Sequence, residues 1–131
     1  MFKAILFAAI AAAPLAVSAD EVIRHAIPDS DFPIAQAVEI PAGKATVYVS
    51  GAVPSMADPA GDPASPEAWG NMEVQTVSVL EGIKSTLERL DLGMGDVVKM
   101  QVFLVAPDGE PVDFAGFMSG YTQFFGTPDQ P

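Results

Sequence analysis

Few side chains in this sequence can carry reactive chemistry. There is no cysteine and one histidine, His25, so thiolate and imidazole ligands cannot form a transition-metal shell. Asp58 and Asp62 sit in a loop as scattered oxygen donors and give a weak cation signal; no metal is expected. No glycine-rich phosphate loop precedes a helix, and no serine–histidine–acid set can be assembled from the spacing. His25 reads as a surface or strand residue. Ser50 ends a β-type run, where a hydroxyl ordinarily bonds nearby backbone. Chemistry in this chain therefore rests on polar positioning and not on a strong nucleophile.

Composition narrows the partners. Seventeen acidic residues against six basic ones give a net charge of −11, and no cluster of Lys or Arg exists. Nucleic acid and anionic membrane surfaces are poor partners for such a chain, and the acidity reads as solubility. The first residues form a separate unit. Lys3 is followed by an apolar run over residues 4–17, broken only by Pro14, then Val17-Ser18-Ala19 and the charged Asp20-Glu21. Basic, apolar, small, then polar is the layout of a secretory signal, and the run is shorter than the ~20 residues that span hydrocarbon. Residues 1–19 are expected to be a cleaved signal and residues 20–131 one domain, periplasmic or secreted, with no membrane attachment after cleavage.

The elements that must position any site follow from periodicity. Residues 22–27 read as a strand, half apolar because of Arg24 and His25, and residues 28–33 as a turn with two prolines and two aspartates. Residues 37–40 and 44–50 read as strands of a hairpin. Alternation in the second puts Val47 and Val49 on one face, with Thr46, Tyr48 and Ser50 on the other. Residues 51–66 are a Pro-rich loop. Ser65-Pro66-Glu67 has the chemistry of a helix start, and Val77, Leu80, Ile83, Leu87 and Leu90 make one apolar stripe up to a stop at Gly93. Residues 97–105 read as a strand with Val98, Met100, Val102 and Leu104 on one face. Phe114, Phe117, Met118, Tyr121 and Phe125 mark a second helix over residues 112–125, an aromatic stripe that reads as core. The sequence stops in the loop that follows. A sheet of this make-up would gain from one more strand, so the domain reads as C-terminally incomplete.

These residues, taken in order, resemble the Rid (YjgF) family. The resemblance is carried by Val49-Ser50-Gly51-Ala52-Val53-Pro54, by Gly61 after Asp58-Pro59, and by Gln75 ahead of the long helix. Leu92-Gly93, Gly95-Asp96-Val97-Val98-Lys99, Val102-Phe103-Leu104, Asp113-Phe114 and Tyr121-Thr122-Gln123-Phe124-Phe125 complete it. It implies an α+β fold, a mixed β-sheet with two α-helices packed on one face, here expected to lack the last strand. It also implies a homotrimer with small-molecule pockets between subunits and no cofactor. The family's best-known activity is hydrolysis of 2-imino or 2-enamino acids to 2-keto acids and ammonia. That reaction needs a clamp for the substrate carboxylate and a polar group that positions water.

Carried over by residue, the resemblance makes Ser50 a ligand-holding hydroxyl and Gly51 a point of close backbone approach. A family tyrosine falls on Ile34, within Pro33-Ile34-Ala35-Gln36, and a family asparagine falls on Met118; both polar groups are gone. The family's clamp arginine belongs to a segment after the second helix. Of the two arginines here, Arg24 stands before the recognisable domain and Arg89 on the polar side of the long helix. Two functions stay open: an exported imine or enamine deaminase, and a non-catalytic small-molecule-binding or interaction module on the same scaffold.

Overall fold

The computed structural model describes residues 21–127; the expected signal over residues 1–19 and the end of the closing loop lie outside the described residues. The architecture is α+β. Its regular elements are β1 (Ile23–Ala26), β2 (Ala35–Glu39), α1 (Met72–Glu88) and α2 (Phe114–Tyr121), with short 3-10 turns over Pro66–Trp69 and Met94–Asp96. No helix among the described residues is long and apolar enough to cross a membrane.

The sheet among the described residues is smaller than the strand-forming residues suggest. β1 and β2 pair antiparallel, with Arg24 opposite Val38 and an irregularity between His25 and Ala26. Asp29, at φ 54°, turns the chain between them, a left-handed conformation that aspartate tolerates better than most residues. The expected hairpin of residues 37–40 with 44–50 is replaced by this one: β2 pairs with the strand before it. Residues 44–50 and 97–105 belong to no ladder among the described residues. Alternation is visible around Tyr48, which is 92 % exposed beside Val47 at 50 % and Val49 at 40 %, but is only partial in the second segment, where Val97, expected outward, packs on the core and Val102, expected inward, is exposed. Phe103 and Val105 point outward while Val98, Met100 and Leu104 are half-buried. Side-chain facing is a local property of extended backbone; pairing needs a second strand about 4.8 Å away.

The long helix also starts and stops differently from expectation. Ser65 makes no cap; its hydroxyl donates to the Glu67 carboxylate instead. That bond, with help from Glu67's own backbone N–H, holds the Glu67 carboxyl below its usual range. The 3-10 turn breaks at Gly70, φ 76°, where a Cβ would come within 2.9 Å of Val74 Cγ1. α1 then begins behind Asn71, whose side chain accepts from Val74 N–H at 2.9 Å. At the far end Asp91, not Gly93, adopts the left-handed conformation, at φ 57°. Leu92 N–H donates to the Leu87 carbonyl at 3.0 Å and Asp91 N–H to the Glu88 carbonyl at 3.2 Å, the two bonds of a Schellman closure.

α2 is shorter than the expected 112–125. Asp113 caps it by accepting from Gly116 N–H at 2.8 Å, and after Tyr121 the chain leaves the helix through turns that still bury Phe124 and Phe125. It packs on α1 through glycine. A Cβ on Gly120 would stand 2.7 Å from Thr76 Cβ, and one on Gly116 would stand 3.1 Å from Met72 Cβ. Leu80, Leu87, Met94, Phe124 and Phe125 form the core, flanked by Ile83, Val97, Met100 and Tyr121. Each buried leucine contributes roughly 2 kcal/mol. The exposed His25–Glu39 pair across the sheet, at 2.7 Å, is worth well under ~1 kcal/mol, so packing carries the fold.

Two substitutions should move stability in opposite directions. Gly120→Ala is expected to cost about 1–3 kcal/mol, because the methyl must displace the Thr76 contact. Asp91→Gly is expected to gain about 0.5–1 kcal/mol by relieving positive φ. Urea denaturation midpoints measured side by side check both signs.

Candidate functional site

A groove of about 360 Å³ opens between β1, β2, residues 97–102 and α2. Each wall follows from local sequence. β1 is too short to bury both faces, and its alternation turns Arg24 inward with Val38 opposite. The Pro33-Ile34-Ala35 segment leads into β2 and supplies a second wall. The half-buried face of residues 97–102 supplies Val98 and Met100, and Lys99 reaches the rim. α2 contributes Phe114, Phe117, Met118 and Tyr121. Their rings form a ladder with centroids 5.7 Å and 5.6 Å apart, continued by Phe125 at 5.1 Å, separations at which aromatic rings attract beyond simple burial.

Polar groups in the groove are few and specifically placed. Arg24 Nη2 donates to the Gly95 carbonyl and, at 3.4 Å, to the Val97 carbonyl. A guanidinium has five N–H donors, so the rest of the fork remains available. The Tyr121 hydroxyl donates to the Pro33 carbonyl at 3.2 Å, which ties α2 to the second wall. Burial pushes the phenol pKa above 10.0, so at neutral pH Tyr121 is a fixed donor and not a base. No aspartate or glutamate among the described residues lines the groove.

The four residues singled out from the sequence divide into two pairs. Ile34 and Met118 meet across the groove as part of its lining. Ser50 and Gly51 are exposed and line neither this groove nor the smaller cavity beside it. Ser50 has no hydrogen-bond partner among the described residues, and a Cβ on Gly51 would meet nothing within 4 Å. Within one chain the Ser-Gly motif is thus not part of the site that Ile34 and Met118 help to form. Arg24, set aside in the sequence as lying before the domain, is instead a wall of that site. It and Lys99 are the charged groove-lining side chains that sequence reasoning passed over. The available signal was a single positive charge interrupting each of two β-type runs.

A family model described as Endoribonuclease L-PSP matches residues 24–131 of this chain, beginning at Arg24 itself. No curated protein matches it.

The half-buried phenol makes a direct optical prediction. Sign follows from cause: burial disfavours phenolate, so the folded state holds its proton at pH values where the unfolded chain has lost it. Any stabilisation from Tyr121 is therefore complete below pH ~10 and declines as pH rises through the folded pKa. In a Tyr48→Phe variant, which leaves Tyr121 as the remaining tyrosine, phenolate absorbance should develop at higher pH in folded than in urea-unfolded protein. Coincident titrations would show that the hydroxyl is not held in the wall.

Proposed function

The chain belongs to the Endoribonuclease L-PSP family, the Rid/YjgF family, and from that membership we propose that it binds a small molecule in the groove walled by Arg24, Ile34 and Met118. The carrying observation is the lining itself: an apolar cavity of ligand size with two cationic side chains and no carboxylate among the described residues. Imine hydrolysis makes two demands, a carboxylate clamp and a group that positions water. Arg24 can serve the first. For the second, the Tyr121 hydroxyl is committed to Pro33, Ser50 stands outside the groove, and Ile34 and Met118 are apolar. Binding without turnover is therefore the leading reading. Deamination of 2-imino or 2-enamino acids is the second, favoured by family membership.

The same membership supports a homotrimer. Tyr48, Val53, Phe103 and Val105 are more than 80 % exposed, and large apolar side chains of this kind are what a subunit interface would cover. Export is proposed from the order of residues 1–21, with the mature protein periplasmic or secreted.

Freshly generated 2-iminobutanoate incubated with the purified protein should decay at its spontaneous rate; ammonia release above that rate returns the enzyme reading to first place. The intact mass of the protein from its native source should correspond to a chain beginning at Asp20. A mass that still includes residues 1–19 removes the export proposal.

A further inference from the structure

Residues 97–105 carry a run of backbone hydrogen-bonding groups that the fold leaves open. Val97 enters the run at φ −70° and ψ 118°, and no residue of the run turns left-handed. Val97 itself is engaged: its N–H donates to the Met94 carbonyl at 3.2 Å and its carbonyl accepts from Arg24. From Val98 to Val105, no backbone N–H or C=O forms a hydrogen bond among the described residues. Lys99, Gln101, Val102, Phe103 and Val105 are exposed, so solvent reaches along the segment. Backbone groups are obligatory donors and acceptors, and an extended row of them is a template for another strand. Two features set this edge apart from residues 44–50, which are unpaired as well. Val98, Met100 and Val102 also line the apolar groove, whereas residues 44–50 border neither cavity. The run holds one charge, Lys99, but acids bracket it: Asp96 before it, Asp108 and Glu110 after it, all three exposed.

We infer that residues 98–105 accept a strand from a partner polypeptide, an extended segment with apolar side chains at alternate positions and Lys or Arg at its ends. The inference stands on the open backbone edge and not on the reading of the groove as a small-molecule site. The kind of partner follows from what is left open. A small molecule can cover apolar side chains, but only another backbone supplies donors and acceptors at the strand repeat. Alternation then turns every second side chain of the added strand to the face that Val98 and Met100 share with the groove. Charge selects the source. A second copy pairing through the same run, in either direction, would set acids against acids at both ends, since Asp96, Asp108 and Glu110 recur in it. A segment with basic ends meets those carboxylates with opposite charge, and its uncharged middle avoids a like-charge pair with Lys99. The outward Phe103 and Val105 side chains lie on the faces of the run and stay free for contact between subunits, because pairing uses its edge.

Fluorescence anisotropy of the full chain with a labelled peptide, Lys-Val-Thr-Val-Thr-Val-Thr-Val-Lys, tests the inference; the peptide is as long as the run 97–105. At low salt it should bind about tenfold more tightly than the same peptide with Glu at both ends, and the difference should shrink as salt rises and screens exposed charge. Hydrogen exchange should show new amide protection across residues 98–105 when the peptide is bound. Methylating the Val amides in one peptide and the Thr amides in another removes donors from opposite edges of the strand while keeping every side chain and charge. One of the two should lose binding and the other keep it. Equal binding by the parent and both methylated peptides would show side chains docking without strand addition, and would overturn the inference. No binding by the basic-ended peptide, or binding that leaves residues 98–105 unprotected, would overturn it as well. Amides of residues 98–105 already protected in an oligomer of the peptide-free protein, seen by sedimentation, would assign the edge to a second copy and reject the partner strand.

Discussion

The two helices meet where α2 presents glycine and no side chain, and the groove takes its shape from that contact. Gly116 and Gly120 lie one turn apart on α2 and face Met72 and Thr76 on α1 at distances no Cβ would tolerate at Gly120. Such an approach brings backbone against side chain and leaves little freedom in how α2 sits. Because α2 is fixed there, its opposite face is fixed too, and that face holds Phe114, Phe117, Met118 and Tyr121 in the groove wall. The Tyr121 bond to Pro33 then sets the distance to the second wall, and Phe125 passes into the core just before Gly126 closes against Pro33.

Electrostatics adds a second layer to the same site. A chain of net charge −11 repels anions at long range, so the positive charges in the groove count only where they are close to what they meet and poorly screened. Arg24 meets that condition through partial burial and two backbone carbonyls. Lys99, exposed at the rim, meets it less well. The Rid scaffold hosts this arrangement without its familiar polar residues: Ile34 and Met118 stand where the resemblance places a tyrosine and an asparagine. An apolar lining suits ligand retention better than the orientation of an attacking water.

Residues 44–50 and 97–105 show how far a strong local signal carries. Both are rich in β-branched residues, and both keep part of the alternation that such sequences imply, with Tyr48 and Phe103 outward but Val97 turned to the core and Val102 exposed. Neither enters a ladder among the described residues. Strand propensity is a preference for a pleated, half-buried surface, and ladder formation adds a requirement for a neighbour that the segment cannot supply from its own residues. The extended apolar faces left in this way are the natural candidates for contact between subunits.

The sequence by itself determined the α+β class, the existence of both helices and the family. Each of these rests on periodicity or on an ordered motif, both of which survive without knowledge of neighbours. Helix ends were less legible. Ser65 looked like a cap but spent its hydroxyl on Glu67, and Asp91 closed α1 before Gly93 could, because capping depends on backbone angles that residue type only biases. Of the residues named from the sequence, Ile34 and Met118 line the groove and Ser50 and Gly51 do not, while Arg24, which does, was set aside. Tertiary structure alone decided which of these share a cavity. Residues 24, 34, 99 and 118 are far apart along the chain, and only the glycine-mediated packing of α2 and the pairing of β1 with β2 bring them together.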